Sequence, residues 1–558
     1  MTTRSLSHRA PLLGLVLAWS IGSVLAHIGL ISWPAGLWAV IALLGLLIAW
    51  AGGRRVLPWA MGLLIALAAS GALRTDERRD RLDDWDALAL PPREAVLTLR
   101  ITRLFHTPPG MERAGGFAEV VATAPHLRDL TGQRIQFFIT WPAGDHPPAL
   151  PGVEFTALGL LRPLPFRPPL AADGNDFDRY LADQGVNFSL TRARLTGAPP
   201  TAPPTWSRFC AATGTRLEQI LRTGLGGNDH LADLYVAMML GRKGELGEEQ
   251  RERFIRSGTM HLFAISGLHI AGIAIALHTV LTLLRLPRRA AFLLGTAVLW
   301  TYVEVTGSAP SAVRAFWMIT CVLGARQLRV PGNSLSALAA SALVVLALDP
   351  HQLFSAGFQM SYGIVAALLL YGVPLQERWL AAWQPWANLP KTEWGFRREF
   401  TESVGRGAMG VLALGLAATL VSTPATVAFF GLLTPGGFFV NLLLIPSAGL
   451  VLFAGVAAIL TGLVGCAPLA MLFNHAAVLV LAGMEGAVRL TLEIPGVAWP
   501  AKFSASWLAG VSGAGMLAIL ALGYARGWRK REGGYWMPYV ALGLVLVLGV
   551  RIVSVTPP

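Results

Sequence analysis

The chain has 558 residues, 54% of them hydrophobic and 14% charged, with a formal net charge of +13. A soluble globular chain carries about 25% charged residues, so the composition excludes an ordinary soluble domain and points to a bilayer. The basic excess is no argument for nucleic acid. Much of it lies in short loops between apolar spans (Arg285, Arg288, Arg289; Arg326, Arg329; Lys391, Arg397, Arg398, Arg406; Arg526, Arg529, Lys530, Arg531), as the positive-inside bias requires of any membrane protein.

A helix needs about 20 apolar residues to cross ~30 Å of hydrocarbon. Arg4 and Arg9 precede an apolar run ending near Ala26, and spans at about 35–51 and 56–73 follow, with Arg54 and Arg55 between them. Residues 1–73 therefore read as a retained anchor of three helices rather than a cleaved signal peptide. Basic residues on one side place the end of the third helix outside, so residues 74–258 are expected to face the periplasm or exterior.

Residues 74–200 hold 15 basic and 16 acidic side chains. Period-two alternation predicts strands at 95–104, 116–123, 133–140, 152–161 and 185–194, with a short helix at 173–184. Five strands with Pro- and Gly-rich turns suit a small external OB-like β-barrel. Its balanced charge disfavours a strong electrostatic groove. Arg192 and Arg194 are the local patch that could touch DNA, and a scaffold role is equally compatible. Residues 201–258 read as linker and amphipathic helical region, with a helix over 206–223 lying at the membrane surface.

From 259 onward about ten spans follow: 259–284, 290–305, 310–328, 334–348, 355–373, 408–432, 437–462, 468–491, 506–525 and 536–554. The fold class is a polytopic α-helical membrane protein of about 11–13 transmembrane helices with an inserted β-barrel. Residues 259–491 form a helical core and 492–558 the C-terminal helices. Cys210, Cys321 and Cys466 lie far apart, and no two of the eleven histidines stand two residues apart. The sequence thus predicts no metal, no cofactor and no catalytic residues.

Polar groups inside spans are costly and mark functional candidates. His261 and His269, eight positions apart, fall about 80° around one predicted helix and can border one cavity, with Ser266 on an adjacent face and Gly267 allowing a break. The alternative is hydrogen bonding to neighbouring helices. Glu304 and Arg314 flank Gly307 and Pro310 where one span ends and the next begins. Either they pair, or Arg314 offers a charge-assisted contact to a phosphate. Gln359, Ser361 and Asn441 line a pore or bond between helices. Pro424 and Pro446 should kink or interrupt their spans. Phe263, Phe358, Phe438 and Phe439 could stack on bases but are more often packing residues.

Several segments, in order, carry a family resemblance: HLFAISGLH (261–269), TGSAPSAVRA (306–315), DPHQLFSAGFQMS (349–361), STPATVAFFG (422–431) and GGFFVNLLLIP (436–446), preceded by GNDFDRYLADQGV (174–186). The chain resembles the ComEC competence family. The resemblance implies an inner-membrane channel that passes single-stranded DNA into the cytoplasm during natural transformation. Family members commonly end in an external metallo-β-lactamase-like domain, whose His-x-His-x-Asp-His metal cluster is not in this sequence. A short form without that nuclease is therefore expected, with a separate nuclease as one partner. A periplasmic DNA receptor is implied as well. The chain carries no Gly-x-x-x-x-Gly-Lys-Ser/Thr loop, so a cytoplasmic motor or strand-binding protein would supply the pull. Membrane lipid and a second copy of the chain complete the expected partners. The alternative reading is a secondary transporter or exporter of a smaller polar or lipid-linked solute.

Overall fold

The structure, a computed structural model, describes residues 11–28, 33–87, 91–105, 112–142, 146–164, 181, 185–226, 230–242, 247–262, 265–329, 333–386, 390, 394–528 and 534–553, without the side chains of 11, 77–87, 248 and 506. Most of the expected helix at 173–184, and Phe263, lie outside the described residues.

The anchor is three helices: α1 (Pro11–Ile28), α2 (Ala35–Gly52) and α3 (Val56–Ala87). Lipid offers no hydrophobic drive between helices, so close backbone approach through small residues holds them. A Cβ on Gly22 would stand 1.8 Å from the Ala68 carbonyl oxygen, and one on Gly62 would stand 2.4 Å from the Ala49 nitrogen. α3 is thus in backbone contact with both α1 and α2. Trp38 Nε1 also donates to buried Asp76 at 2.6 Å.

All five expected strands form: β1 (Arg93–Leu104), β2 (Arg113–Thr123), β3 (Arg134–Thr140), β4 (Glu154–Pro163) and β5 (Phe188–Leu195). They close a barrel in the order β1-β2-β3-β5-β4, antiparallel throughout except for the parallel β3–β5 pair. This is an OB-like arrangement. Alternation puts Ala95, Leu97, Leu99 and Ile101 inside against Phe137 and Phe155. Inside as well, Ser189 Oγ donates to Gln136 Oε1 at 2.9 Å, so this buried pair satisfies part of its hydrogen-bonding capacity.

Helix α4 (Thr205–Arg222) follows the Pro-rich segment, and its Ser207 hydroxyl donates to the Pro151 carbonyl of the barrel at 2.7 Å. Then come α5 (His230–Leu240) and α6 (Glu248–Arg256), followed by α7 (Gly267–Leu283), α8 (Arg288–Val305), α9 (Pro310–Gln327), α10 (Ser334–Leu348), α11 (Ala356–Ala367), α12 (Val373–Ala382), α13 (Phe396–Phe430), α14 (Gly436–Leu463), α15 (Ala467–Leu492), α16 (Ser506–Arg526) and α17 (Met537–Gly549). Among the described residues, eight helical segments are long and apolar enough to cross a membrane. The protein is a multi-pass helical membrane protein with a small barrel. Pro424 and Pro446 do not interrupt their helices: α13 and α14 run through them for 35 and 28 residues. Neighbouring helices make an internal proline tolerable at membrane depth.

The region expected to be linker holds the largest departure from the sequence reading. Within α5, Leu234, Tyr235, Val236, Ala237, Met238 and Met239 are at most 1% exposed, packed among α14 and α15. Eleven residues rise only about 16 Å, too short to span. α5 is a half-length helix sealed inside the bundle.

Candidate functional site

Five chain breaks meet beside α5. Gly241 ends that helix with φ +74°, and a Cβ there would press on Ile265 and approach the Thr306 carbonyl. Gly258, with φ +71°, packs on Thr434 and Gly437 at the start of α14. The Ser311 hydroxyl at the start of α9 donates to the Ile265 carbonyl at 2.7 Å, and the Tyr302 hydroxyl of α8 donates to the Met239 carbonyl of α5. The ends of α5 and α8 and the beginnings of α7, α9 and α14 are thereby tied into one cluster. Irregular backbone at such depth persists only where protein or a wet cavity satisfies it.

The predicted helix across 259–284 is broken here. His261 belongs to a 3-10 turn (Met260–Leu262), and α7 begins afresh at Gly267. His261 and His269 therefore do not share one helix, and the 80° relation between them does not apply. The break is built by Ser266, the N-cap. Its backbone N–H donates to His269 Nδ1 at 3.2 Å, and its hydroxyl lies 2.8 Å from the same nitrogen. This is a capping box with histidine in the usual place of Glu or Gln. Because Nδ1 accepts, the ring proton sits on Nε2, and Nε2 has no partner among the described residues although His269 is 1% exposed. A buried donor left unpaired is costly, so it points to water or a ligand at that position.

Open space borders the same cluster. Gly267 and Gly307 are exposed, and nothing lies within 4 Å of a Cβ built on either. His261 is exposed as well, with its Nδ1 3.2 Å from the Gly258 carbonyl. Gly307 (φ +81°) and Ser308 (φ +47°) make the turn, and Pro310 opens α9 at its first position, where a missing N–H costs nothing.

Glu304 accepts from the Ser308 hydroxyl at 3.0 Å, so it serves the turn and does not pair with Arg314. Arg314, one turn into α9, is 5% exposed and lies against Gly357 of α11. Gln359 is exposed and donates to the Leu353 carbonyl at 3.1 Å, which places it at the start of α11 rather than in the cluster. Asn441 sits one turn beyond Gly437 on α14, and its Oδ1 has no partner among the described residues. A cleft of about 410 Å³ opens between the start of α14 and the end of α15, and another of about 460 Å³ lies between the middles of α8 and α9.

Two residues the sequence reading passed over hold this frame. Asn474 of α15, fully buried, donates to the Ile220 and Thr223 carbonyls at the end of α4 at 2.8 and 2.9 Å, and accepts from Tyr235 of α5 at 3.3 Å. Their signal was present: an Asn within an apolar span and a Tyr within an apolar run.

The described arrangement can be set beside known proteins. ComE operon protein 3 of Bacillus subtilis (strain 168) is 33% identical to the chain over 141 residues, 25% of this chain and 18% of that protein. The chain thus matches less than a fifth of that relative's length. No solved structure matches. A family model described as "Competence protein" matches residues 238–526, from within buried α5 to the last residue of α16. That stretch contains every break of the cluster, and the chain belongs to this competence protein family, the family of ComEC.

Proposed function

We propose that the protein works in DNA uptake during natural transformation, as an inner-membrane channel that passes one strand of DNA into the cytoplasm through the broken-helix cluster. The barrel then stands at the periplasmic mouth. The supporting observation is the open surface beside the start of α7 and the α8–α9 turn, where His261, Gly267 and Gly307 are accessible and His269 holds an unspent donor. A polyanion cannot enter hydrocarbon. It needs a polar route, and helix N-termini that point into such a route present positive dipole ends to it. Discontinuous helices serve anionic substrates in this way elsewhere. In this reading the chain is a conduit and not an enzyme. A periplasmic DNA receptor, a nuclease that removes the second strand, and a cytoplasmic motor or strand-binding protein act beside it.

The test is to delete the gene in a competent host and follow labelled duplex DNA. Accumulation outside the inner membrane without cytoplasmic arrival is the expected result. Unchanged transformation sinks the channel and favours transport of a smaller solute.

A further inference from the structure

Helix α11 begins with Ser355 as N-cap, whose hydroxyl accepts from the Phe358 N–H at 3.2 Å. Among the described residues the N–H groups of Ala356 and Gly357 have no acceptor, and Gly357 is exposed. The guanidinium of Arg314 lies directly against this turn: a Cβ on Gly357 would stand 2.9 Å from Nη2 and 3.4 Å from Nη1. Arg314 is 95% buried, its Nε has no acceptor, and no carboxylate pairs with it among the described residues. Tyr362 is the titratable group close enough to interact with it electrostatically. The electrostatics are incomplete. A helix N-terminus is the positive end of the dipole and favours an anion, yet here it faces a buried cation. Leaving a buried charge uncompensated is strongly unfavourable. Two positive features that converge on an open glycine are the components of an anion site.

We propose that Arg314 and the first turn of α11 form an anion site inside the membrane domain that takes one phosphodiester group of the single strand in transit. Gly357 is glycine because the bound group and the guanidinium share the space a methyl would fill. The strand as occupant rests on the channel reading above; the anion site itself does not. A station of one cation and two backbone donors holds a phosphate without trapping it, which passage requires.

The full chain in nanodiscs of phosphatidylcholine tests both parts. Inorganic phosphate should raise the melting temperature of the wild type and leave Arg314→Gln and Gly357→Ala unmoved. Without phosphate, Arg314→Gln should melt no lower than wild type, because it removes a buried unpaired charge. The wild type should prefer a short oligodeoxythymidylate over its uncharged methylphosphonate counterpart. Either variant should reduce that preference by about tenfold, the loss of one charge-assisted contact. No phosphate effect on the wild type overturns the site. An effect of Arg314 seen only with phosphatidylglycerol in the disc overturns it too, in favour of a lipid headgroup. If phosphate acts through Arg314 but the strand neither binds nor reaches the cytoplasm, the channel reading falls and the strand as occupant falls with it. If the strand reaches the cytoplasm unaltered in both variants, the strand as occupant of the site falls and the channel stands.

Discussion

Tyr235 and Asn474, 239 positions apart, meet through a buried hydrogen bond of 3.3 Å, and the same Asn474 amide holds two carbonyls at the end of α4. One side chain on α15 thus fixes the position of both α4 and α5. Asn474→Ala would take the amide partner from the Thr223 carbonyl and the Tyr235 hydroxyl, leaving the Ile220 carbonyl only the Thr223 N–H, at a cost of about 1–3 kcal/mol. Melting of the purified protein in detergent should register the loss. Adding Tyr235→Phe should cost less than its effect alone, because the two act in one network.

The histidine cap of α7 separates structure from passage. His269→Ala removes the acceptor for the Ser266 N–H and should weaken the helix start by about 1 kcal/mol. It also removes the Nε2–H donor, so cytoplasmic arrival of labelled DNA should fall. Glutamine is an ordinary partner in a capping box and carries amide donors, so His269→Gln should recover more of both than alanine does. Equal arrival in all three proteins would show that the ring takes no part in passage.

Close approach in the anchor makes a sharper prediction. The atoms nearest a Cβ on Gly62 are backbone, the Ala49 nitrogen at 2.4 Å and the Gly45 oxygen at 2.5 Å. They cannot turn aside as a side chain would. Gly62→Val must therefore part α2 from α3, with an overpacking cost of about 1–3 kcal/mol. A cysteine pair placed across the α2–α3 contact should cross-link in the parent and lose efficiency in the variant.

The barrel supplies a contrast. Arg100 Nε and Nη2 both reach Glu154 Oε1, at 2.8 and 2.6 Å, and the ion pair keeps the guanidinium's pKa raised. The pair lies in solvent, where ion pairs contribute little. Arg100→Ala should leave amide exchange in β1 and β4 unchanged at physiological salt.

How far the fold was legible follows from where its information sits. The strands were readable because each alternates locally, as in Ala95, Leu97, Leu99 and Ile101. The parallel β3–β5 closure depends on residues some fifty positions apart, such as Gln136 and Ser189, and no local pattern encodes it. The apolar spans announced themselves, whereas α5 did not, because a mostly apolar stretch of eleven residues matches a short surface segment as well as a sealed half-helix. Gly307 (φ +81°) and Pro310 stand in the turn between α8 and α9 and at the start of α9, positions that suit their backbone preferences. Ser266 and His269 were noticed, but a pattern rule cannot show that they cap a new helix rather than decorate a continuous one. Glu304 and Arg314 looked like partners by charge, yet the carboxylate is used by Ser308, four residues away.

The sealed position of α5 also constrains biogenesis. Its packing partners in α14 and α15 are made some two hundred residues later, and the ring of His230 at its start meets Glu485 255 positions on. During synthesis the segment is too short to settle across the lipid, and its final neighbours do not yet exist. Docking of α5 is therefore a late event, gated by completion of the C-terminal half. Such long-range closure is slow and leaves apolar surface waiting. Nascent chains truncated before α15 should hold α5 accessible to protease, and the helical core closes around it only when the last third of the polypeptide arrives.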